Sequence, residues 1–160
     1  MIFKDFFKRI MYSNFEYIDR AIKCYRKREH YKDKIKNKIY IIPYLIYKIK
    51  CNKFVRYGNI GLGGKIGSNL KIWHNNIIIN EHATIGNNCE LHGNNCIGGK
   101  GIGDAPTIGN NVHIGYGATI IGNIYIADNI TIGANSLVNK SFTTKGITIA
   151  GNPAHEINIK

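Results

Sequence analysis

The sequence lacks a long hydrophobic run and a recognisable export signal. Its longest apolar stretch, residues 39–47, contains Pro43 and is far shorter than the roughly 18 residues that a membrane-spanning helix needs. The N-terminus carries Asp5 and no small-residue cleavage site. We therefore expect no transmembrane helix and a cytoplasmic location, where the four cysteines remain reduced thiols.

Acidic residues are scarce, and the resulting positive charge is unevenly spread. Residues 1–53 hold 15 of the 22 Lys and Arg and 5 of the 10 Asp and Glu, a net charge of 15 − 5 = +10, whereas residues 54–160 have 7 − 5 = +2. Basic residues among Tyr and Phe suit a nucleic acid, an anionic lipid surface or a solvated helical face. We expect no nucleic-acid partner, and peripheral contact of residues 1–50 with the inner membrane face.

The first third of the chain has the pattern of a helical segment. Phe15, Ile18, Ile22 and Tyr25 recur at spacings of three and four, which is the period of a helix. We expect Pro43 to break a second helix, because proline lacks the backbone N–H that a helix interior needs. Residues 1–56 are thus predicted to be a basic, aromatic-rich leader of two or three short helices.

From residue 57 onward, the sequence repeats every six residues. An aliphatic side chain opens each repeat, glycine often follows it, and the fourth position after it is small or aliphatic. Such periodicity is the signature of a solenoid and is sought before single strands or helices. The thirteen aliphatic positions form three runs: Ile60, Ile66 and Ile72; Ile79, Ile85, Leu91 and Ile97; and Ile108, Ile114, Ile120, Ile126, Ile132 and Val138.

This repeat predicts a parallel β-helix of triangular cross-section over residues 57–142. Each aliphatic side chain points inward from one short face, and Gly and Asn form the turns because they tolerate positive φ. Two interruptions break the period: one extra residue just after His74, and a loop at residues 98–107. Interruptions of a solenoid map to loops, often on the binding face. Residues 143–160 are left as a C-terminal tail.

The repeat segment resembles the serine acetyltransferase-like branch of the hexapeptide-repeat acyltransferases. The ordered motifs IGG, APTIGNNVHIGYGA, IGANSLV and AGNPA carry this resemblance, which covers residues 58–157. The basic leader looks like that of members acting on capsule or O-antigen polysaccharide. The resemblance implies a left-handed β-helix and a homotrimer with active sites between neighbouring prisms. It also implies acetyl-CoA as co-substrate, in a groove that the tail caps.

Three residues are candidates for the catalytic chemistry. His74 matches the catalytic histidine of the family, and a neutral imidazole is a suitable general base near pH 7. Asn59 stands where the family usually has a carboxylate that orients this base. An amide can accept a hydrogen bond from the imidazole, but it cannot stabilise an imidazolium charge as a carboxylate does. His92, after Leu91, is placed to polarise the thioester carbonyl or to hold the acceptor.

The residues around His74 bear on the identity of the acceptor. Serine enzymes of the family carry an acidic residue just before the catalytic histidine and a second histidine before the proline of the loop. The corresponding residues here are Trp73 and Ala105. We therefore expect Trp73 and His92 to bind a sugar of a surface polysaccharide or its precursor. The alternatives are serine O-acetylation in cysteine biosynthesis, and a non-catalytic scaffold or membrane-docking module.

Glycines of the repeat are the candidates for binding the co-substrate, because backbone must approach the pantetheine arm closely. No metal is expected. Cys89, His92 and Cys96 have a zinc-like spacing, but Cys89 occupies an inward position where a thiol packs as a hydrophobe. A carbonic anhydrase of the same fold needs an H-x4-H pattern that is absent. By the resemblance to the family, the residues expected to bind the co-substrate are Gly98, Gly99, Gly117, Ala118, Gly133, Ala134, Lys140, Gly151, Asn152 and Pro153.

Overall fold

The computed structural model describes residues 14–157 of the 160-residue chain, in two compact units that meet between Gly58 and Asn59. Residues 1–13 of the predicted leader and residues 158–160 of the predicted tail lie outside the described part. Among the described residues, no helix has the length and apolar character that crossing a membrane requires.

The first unit consists of two helices joined by a short turn. Helix α1 spans Asn14–Asp33, a 3₁₀ turn spans Lys38–Tyr40, and helix α2 spans Ile41–Gly58. The expectation that Pro43 breaks the second helix is wrong. Pro43 is the third residue of α2, and the first turn of a helix has no carbonyl partner for its backbone N–H groups, so proline is tolerated there.

Aromatic and thiol contacts join α1 to α2. The rings of Tyr17 and Phe54 meet edge to face with centroids 5.0 Å apart, and the Sγ atoms of Cys24 and Cys51 lie 3.3 Å apart as free thiols. Burial raises the pKa of the Cys51 thiol well above its ordinary value, and the adjacent Cys24 adds to this effect. The Cys51 thiol therefore stays protonated, and the two thiols form a buried contact between the helices.

The second unit is a left-handed parallel β-helix, as the repeat and the resemblance predicted. Strands of two to four residues form three faces, and each strand pairs in parallel with the strand one coil away, for example Ile60 with Ile77. Face 1 contains β1, β4, β7, β10 and β13; face 2 contains β2, β5, β8 and β11; face 3 contains β3, β6, β9, β12 and β14, to which β15 adds antiparallel. The strands are β1 (Ile60–Gly61), β2 (Lys65–Ile66), β3 (Lys71–Ile72), β4 (Ile77–Ile79), β5 (Thr84–Ile85), β6 (Glu90–Leu91), β7 (Cys96–Gly98), β8 (Thr107–Ile108), β9 (His113–Ile114), β10 (Thr119–Ile121), β11 (Tyr125–Ile126), β12 (Thr131–Ile132), β13 (Leu137–Val138), β14 (Thr148–Gly151) and β15 (Ala154–Ile157).

The repeated aliphatic residues form the core of the β-helix. Twelve of the thirteen predicted inward positions are buried, and the exception is Ile66, which is only partly buried. Ile66 lies on β2, in the first coil of the β-helix. Stacking the coils therefore creates one continuous aliphatic column.

Asparagines of successive coils form a hydrogen-bonded ladder along one corner. The side-chain amide of each donates to the side-chain oxygen of the next, at 3.0 Å from Asn69 to Asn88, 3.1 Å from Asn88 to Asn111 and 3.0 Å from Asn111 to Asn129. All four have positive φ, between 54° and 61°. Asparagine tolerates this conformation better than other non-glycine residues, and its amide can both donate and accept.

We predict that Asn111→Ala lowers the free energy of unfolding by about 2–5 kcal/mol. The alanine loses two ladder hydrogen bonds, each worth about 0.5–1.5 kcal/mol, and holds a left-handed backbone that costs about 1–2 kcal/mol. Asn111→Gly loses only the ladder and is expected to cost about 1–3 kcal/mol. Denaturant unfolding of both variants measures the difference. Equal losses would mean that the backbone conformation contributes nothing.

Candidate active site

The corner between face 3 and face 1, called here the 3–1 corner, changes from aromatic to glycine along the stack. Backbone bonds from the N–H of Trp73 to the carbonyl of Leu91 (2.9 Å) and from the N–H of His92 to that of Ile114 (3.0 Å) place Trp73 and His92 on consecutive coils. Gly115 and Gly133 follow in the same register. The rings of Trp73 and His92 therefore lie at one end of this column of corner residues, and Gly115 and Gly133, which have no side chains, lie further along it.

Glu90 fixes the side chain of Trp73. The indole Nε1 donates to Glu90 Oε2 at 3.2 Å, and Lys71 Nζ lies 3.1 Å from Glu90 Oε1. The Trp73 and His92 rings are tilted by 30°, with centroids 6.1 Å apart. An anchored Trp73 ring that is 36% exposed offers an apolar surface to a ligand.

The Glu90 carboxyl has a pKa below its ordinary value. Partial burial acts to raise the pKa, but the hydrogen bonds from Lys71 and Trp73, with the charges of Lys71 and His113, outweigh it. His113 Nδ1 lies 3.7 Å from Glu90 Oε2. Glu90 is therefore ionised at neutral pH.

His74 lies on the 3–1 corner, beside the one-residue insertion that follows it. It is solvent-exposed, and its ring meets that of Tyr116 edge-on, with centroids 6.3 Å apart. Position 93, next to His74 in the neighbouring coil, must be glycine for two reasons. A Cβ there would lie 2.5 Å from the Cβ of His74, and the backbone has a φ of +112°. Tyr116 and Gly93 thus set the position of the His74 ring.

A buried asparagine supports this turn from inside. Asn95 is 1% exposed, accepts a hydrogen bond from the N–H of Gly93 at 2.9 Å, and donates to the carbonyl of Gly115 at 2.7 Å. Buried amide groups need hydrogen-bond partners. Asn95 finds them in Gly93 and Gly115, and it thereby links the coil next to His74 to the following coil.

Asn59 has a different contact from the one expected. Its side-chain amide donates to Asn76 Oδ1 at 3.1 Å, and its φ is +50°, as in the other turn asparagines. Among the described residues, the His74 ring has its contact with Tyr116 rather than with Asn59. The role of Asn59 in orienting His74 stays a prediction, and it requires a different side-chain conformation.

The residues predicted to bind the co-substrate divide between two corners of the prism. One group lies on the 3–1 corner with His74, and there the N–H of Gly151 donates to Ser136 Oγ at 3.2 Å and ties the tail to this corner. The other group follows face 1 on the corner that leads to face 2, called here the 1–2 corner. Gly117, Ala118, Gly133, Ala134 and Gly151 belong to the 3–1 corner, with Asn152 and Pro153 in the adjoining β14–β15 turn; Gly98, Gly99 and Lys140 belong to the 1–2 corner.

The predicted loop at residues 98–107 is an excursion of the 1–2 corner. It leaves β7 and rejoins at β8, with Ile102 fully exposed in the excursion. A Cβ on Gly99 would lie 2.0 Å from the carbonyl oxygen of Asp104, so only glycine fits at the base of the loop. Ala105, which stands where serine enzymes have a histidine, is buried.

The histidines and the carboxylate on face 3 have the composition of a metal site. Potential ligand atoms of Glu90, His92 and His113 lie within 4.8 Å of one another. The Glu90 carboxylate is already engaged by Lys71 and Trp73, so we interpret the group as the network that holds Trp73. Cys89, from the zinc-like spacing, is fully buried in the core.

Two site residues were missed by the sequence analysis, Glu90 and Tyr116. Glu90 directly precedes the inward Leu91 and pairs across the coils with Lys71 and His113. Once the three-face register is known, this outward column can be read from the sequence. Tyr116 follows Gly115 at the corner, and its proximity to His74 depends on the inserted residue.

The chain is similar to serine acetyltransferases. The family described as "Bacterial transferase hexapeptide (six repeats)" matches residues 105–140. A serine acetyltransferase of Staphylococcus epidermidis is 37% identical over 124 residues, which are 75% of this chain and 57% of that protein. The Brucella abortus serine acetyltransferase in complex with coenzyme A has a TM-score of 0.70 at 27% identity, covering 86% of this chain and 54% of that one.

Soybean serine acetyltransferase complexed with serine has a TM-score of 0.55 at 35% identity, covering 58% of this chain and 40% of the soybean chain. The chain therefore spans about half the length of the relatives that it matches. The residues that the family model matches, 105–140, lie within the β-helix.

We predict that Trp73 fluorescence reports the protonation of Glu90, because Trp73 is the single tryptophan of the chain. The pKa of Glu90 is lowered in the folded state, so the bond to Trp73 persists below the ordinary glutamate pKa of about 4.3 and is lost only in more acid solution. An emission change is expected in that acid range. Far-UV circular dichroism checks that the fold is retained. In Glu90→Gln this step should disappear, and its persistence would contradict the assignment.

Proposed function

We propose that this chain, a member of the serine acetyltransferase-like branch of the hexapeptide-repeat acyltransferases, transfers an acetyl group from acetyl-CoA to a hydroxyl oxygen. The observation that carries the proposal is the placement of His74, an exposed imidazole beside the only insertion of its corner, held by Gly93 and Tyr116. The solved Brucella relative with coenzyme A supports the choice of co-substrate.

In this proposal His74 acts as the general base. Its neutral imidazole takes the proton of the acceptor hydroxyl as the oxygen attacks the thioester carbonyl of acetyl-CoA. The C–S bond then breaks, the acetyl group remains on the acceptor oxygen, and the proton passes from the imidazolium to the leaving thiolate. His92, on the next coil, lies where it can hold the acceptor or donate to the carbonyl oxygen.

We further propose a homotrimer with the active sites between neighbouring copies. The support is the division of the candidate residues between two corners of one prism, since a single chain keeps Gly98 and Gly99 on a different corner from His74. In a three-fold assembly, the 1–2 corner of one copy can face the 3–1 corner of its neighbour, and this heterologous contact repeats three times around the axis.

The relatives favour L-serine as the acceptor, since the similar proteins bear that activity in their names. The structure also weakens the argument against an amino acid. Trp73 replaces the expected acid, but the ion pair of Lys71 and Glu90 lies beside it and offers both charges. A zwitterionic substrate can exchange with such a pair, its ammonium group meeting Glu90 and its carboxylate meeting Lys71.

A sugar hydroxyl of a surface polysaccharide or its precursor is the second candidate acceptor. The specific observation in its favour is the anchored, partly exposed Trp73 ring beside His92. Tryptophan faces suit sugar rings, because the apolar face of a pyranose packs on an aromatic surface while its hydroxyls stay hydrated. A non-catalytic scaffold is the third reading, and it requires that His74 have no role in turnover.

We predict that His74→Ala lowers kcat for thiol release from acetyl-CoA by about 10²–10⁴-fold, the usual contribution of a general base. The control is His30→Ala, at an exposed histidine of α1 in the other unit; it should keep full activity. Full turnover by His74→Ala would refute the assigned base. Absence of turnover by the wild-type chain with every acceptor, with acetyl-CoA still bound, would favour the scaffold.

A second experiment separates the acceptors by offering L-serine, nucleotide sugars and polysaccharide to matched variants. If serine is the acceptor, Lys71→Met should raise the KM for serine at least tenfold, because a carboxylate loses its charge partner. If a sugar is the acceptor, Trp73→Leu should raise the KM for the sugar by a similar factor, while Lys71→Met has a smaller effect. Equal turnover of serine and of sugar acceptors by this chain would contradict both assignments of specificity.

A further inference from the structure

The outward face of helix α2 is apolar although the helix is packed on its other side. Ile42, Leu45, Ile46 and Ile49 are all exposed, with Ile42 at 69% and Ile49 at 60%. Their spacing of i, i+3, i+4 and i+7 places them within an arc of about 100° on one helix face. This stripe, residues 42, 45, 46 and 49, is called here the α2 stripe.

The opposite face of α2 is the one that contacts α1. Cys51 is buried against Cys24, and Phe54 meets Tyr17. The helix therefore buries one face inside its own unit and leaves a second apolar face in solvent. Such a contiguous apolar surface on a described element indicates an interaction site rather than scattered surface residues.

The charge around the α2 stripe restricts what covers it. Residues 34–58 contain seven basic residues and no Asp or Glu. Lys53 continues the stripe one turn further along the helix, and Lys48 and Lys50 flank it. The seven basic residues are Lys34, Lys36, Lys38, Lys48, Lys50, Lys53 and Arg56.

We propose that the α2 stripe is a membrane-docking surface that lies on an anionic lipid bilayer. Apolar side chains on one face with lysines at its edges are the pattern of an interfacial helix, in which the apolar side chains enter the acyl boundary and the lysines reach anionic headgroups. The same α2 face of a second copy would bring like charges together, and a nucleic acid would leave four aliphatic side chains against phosphate. The inference does not depend on the acetyl-transfer proposal, because no residue of the 3–1 corner takes part.

The test is flotation of the full-length chain with lipid vesicles. Vesicles of phosphatidylcholine with about one quarter phosphatidylglycerol are compared with vesicles of phosphatidylcholine alone, at low and high salt. We expect binding to the anionic vesicles that falls with salt. Two variants separate the contributions: Ile42→Gln with Ile46→Gln and Ile49→Gln, and Lys48→Gln with Lys50→Gln and Lys53→Gln. Each should weaken binding at least tenfold, and glutamine maintains helix propensity.

The matched control is Ile78→Gln with Lys65→Gln, at exposed positions of the β-helix that should leave vesicle binding unchanged. Circular dichroism verifies folding, and light scattering gives the oligomeric state of each variant. Absence of wild-type binding, or unchanged binding by both α2 variants, would overturn the proposal. A smaller assembly of the isoleucine variant without vesicle binding by the wild type would instead make the stripe an interface between copies. Binding of a single-stranded RNA with no vesicle binding would also overturn it.

Discussion

The register between coils is the constraint on which the β-helix and its site depend. Parallel backbone hydrogen bonds hold each residue above its equivalent in the neighbouring coil, so residues one coil apart, such as Lys71, Glu90 and His113, build a column that runs along the prism. Inward columns become the aliphatic core, and the turn column of Asn69, Asn88, Asn111 and Asn129 becomes a ladder. Outward columns bring together residues about 20 positions apart, such as Lys71, Glu90 and His113. The candidate site therefore forms where the stacking of coils brings columns of different side chains next to one another.

The fold could be predicted from the sequence because every repeat contains the aliphatic residue that builds the core. A single aliphatic residue such as Ile114 or Ile132 does not predict a fold. Thirteen aliphatic positions at a spacing of six residues predict a coil that closes into a three-sided prism. The helices were predicted less well, since Pro43 was read as a break although it stands in a first turn. What decides that reading is where the helix begins, and the start signal is Asn37, whose side chain accepts a hydrogen bond from the N–H of Ile39 and caps the 3₁₀ turn that leads into α2.

The candidate base could be proposed from the sequence, whereas the contacts around it required the structure. His74 is identified by its family context and by the insertion beside it. The roles of Glu90 and Tyr116 depend on the spatial register of consecutive coils, and the different partner of Asn59 depends on turn geometry. The argument from Trp73 and Ala105 against an amino-acid acceptor considered only residues adjacent in sequence. The Lys71–Glu90 pair, 19 positions apart, supplies charges that such local reasoning does not include.

The antiparallel strand β15 has a consequence for how the chain behaves in solution. A parallel β-helix ends in a coil whose backbone groups are unpaired, and such open edges invite another molecule to add its strands and extend the stack into a fibre. On face 3, β15 occupies this position and pairs Thr148 with Ile157 and Ile149 with Glu156 in the opposite direction. A coil arriving from a second molecule would find a reversed strand bearing exposed His155 and Glu156 rather than a matching parallel template. Among the described strands, β15 thus covers the edge of β14 and prevents a parallel strand from adding to face 3 at that end.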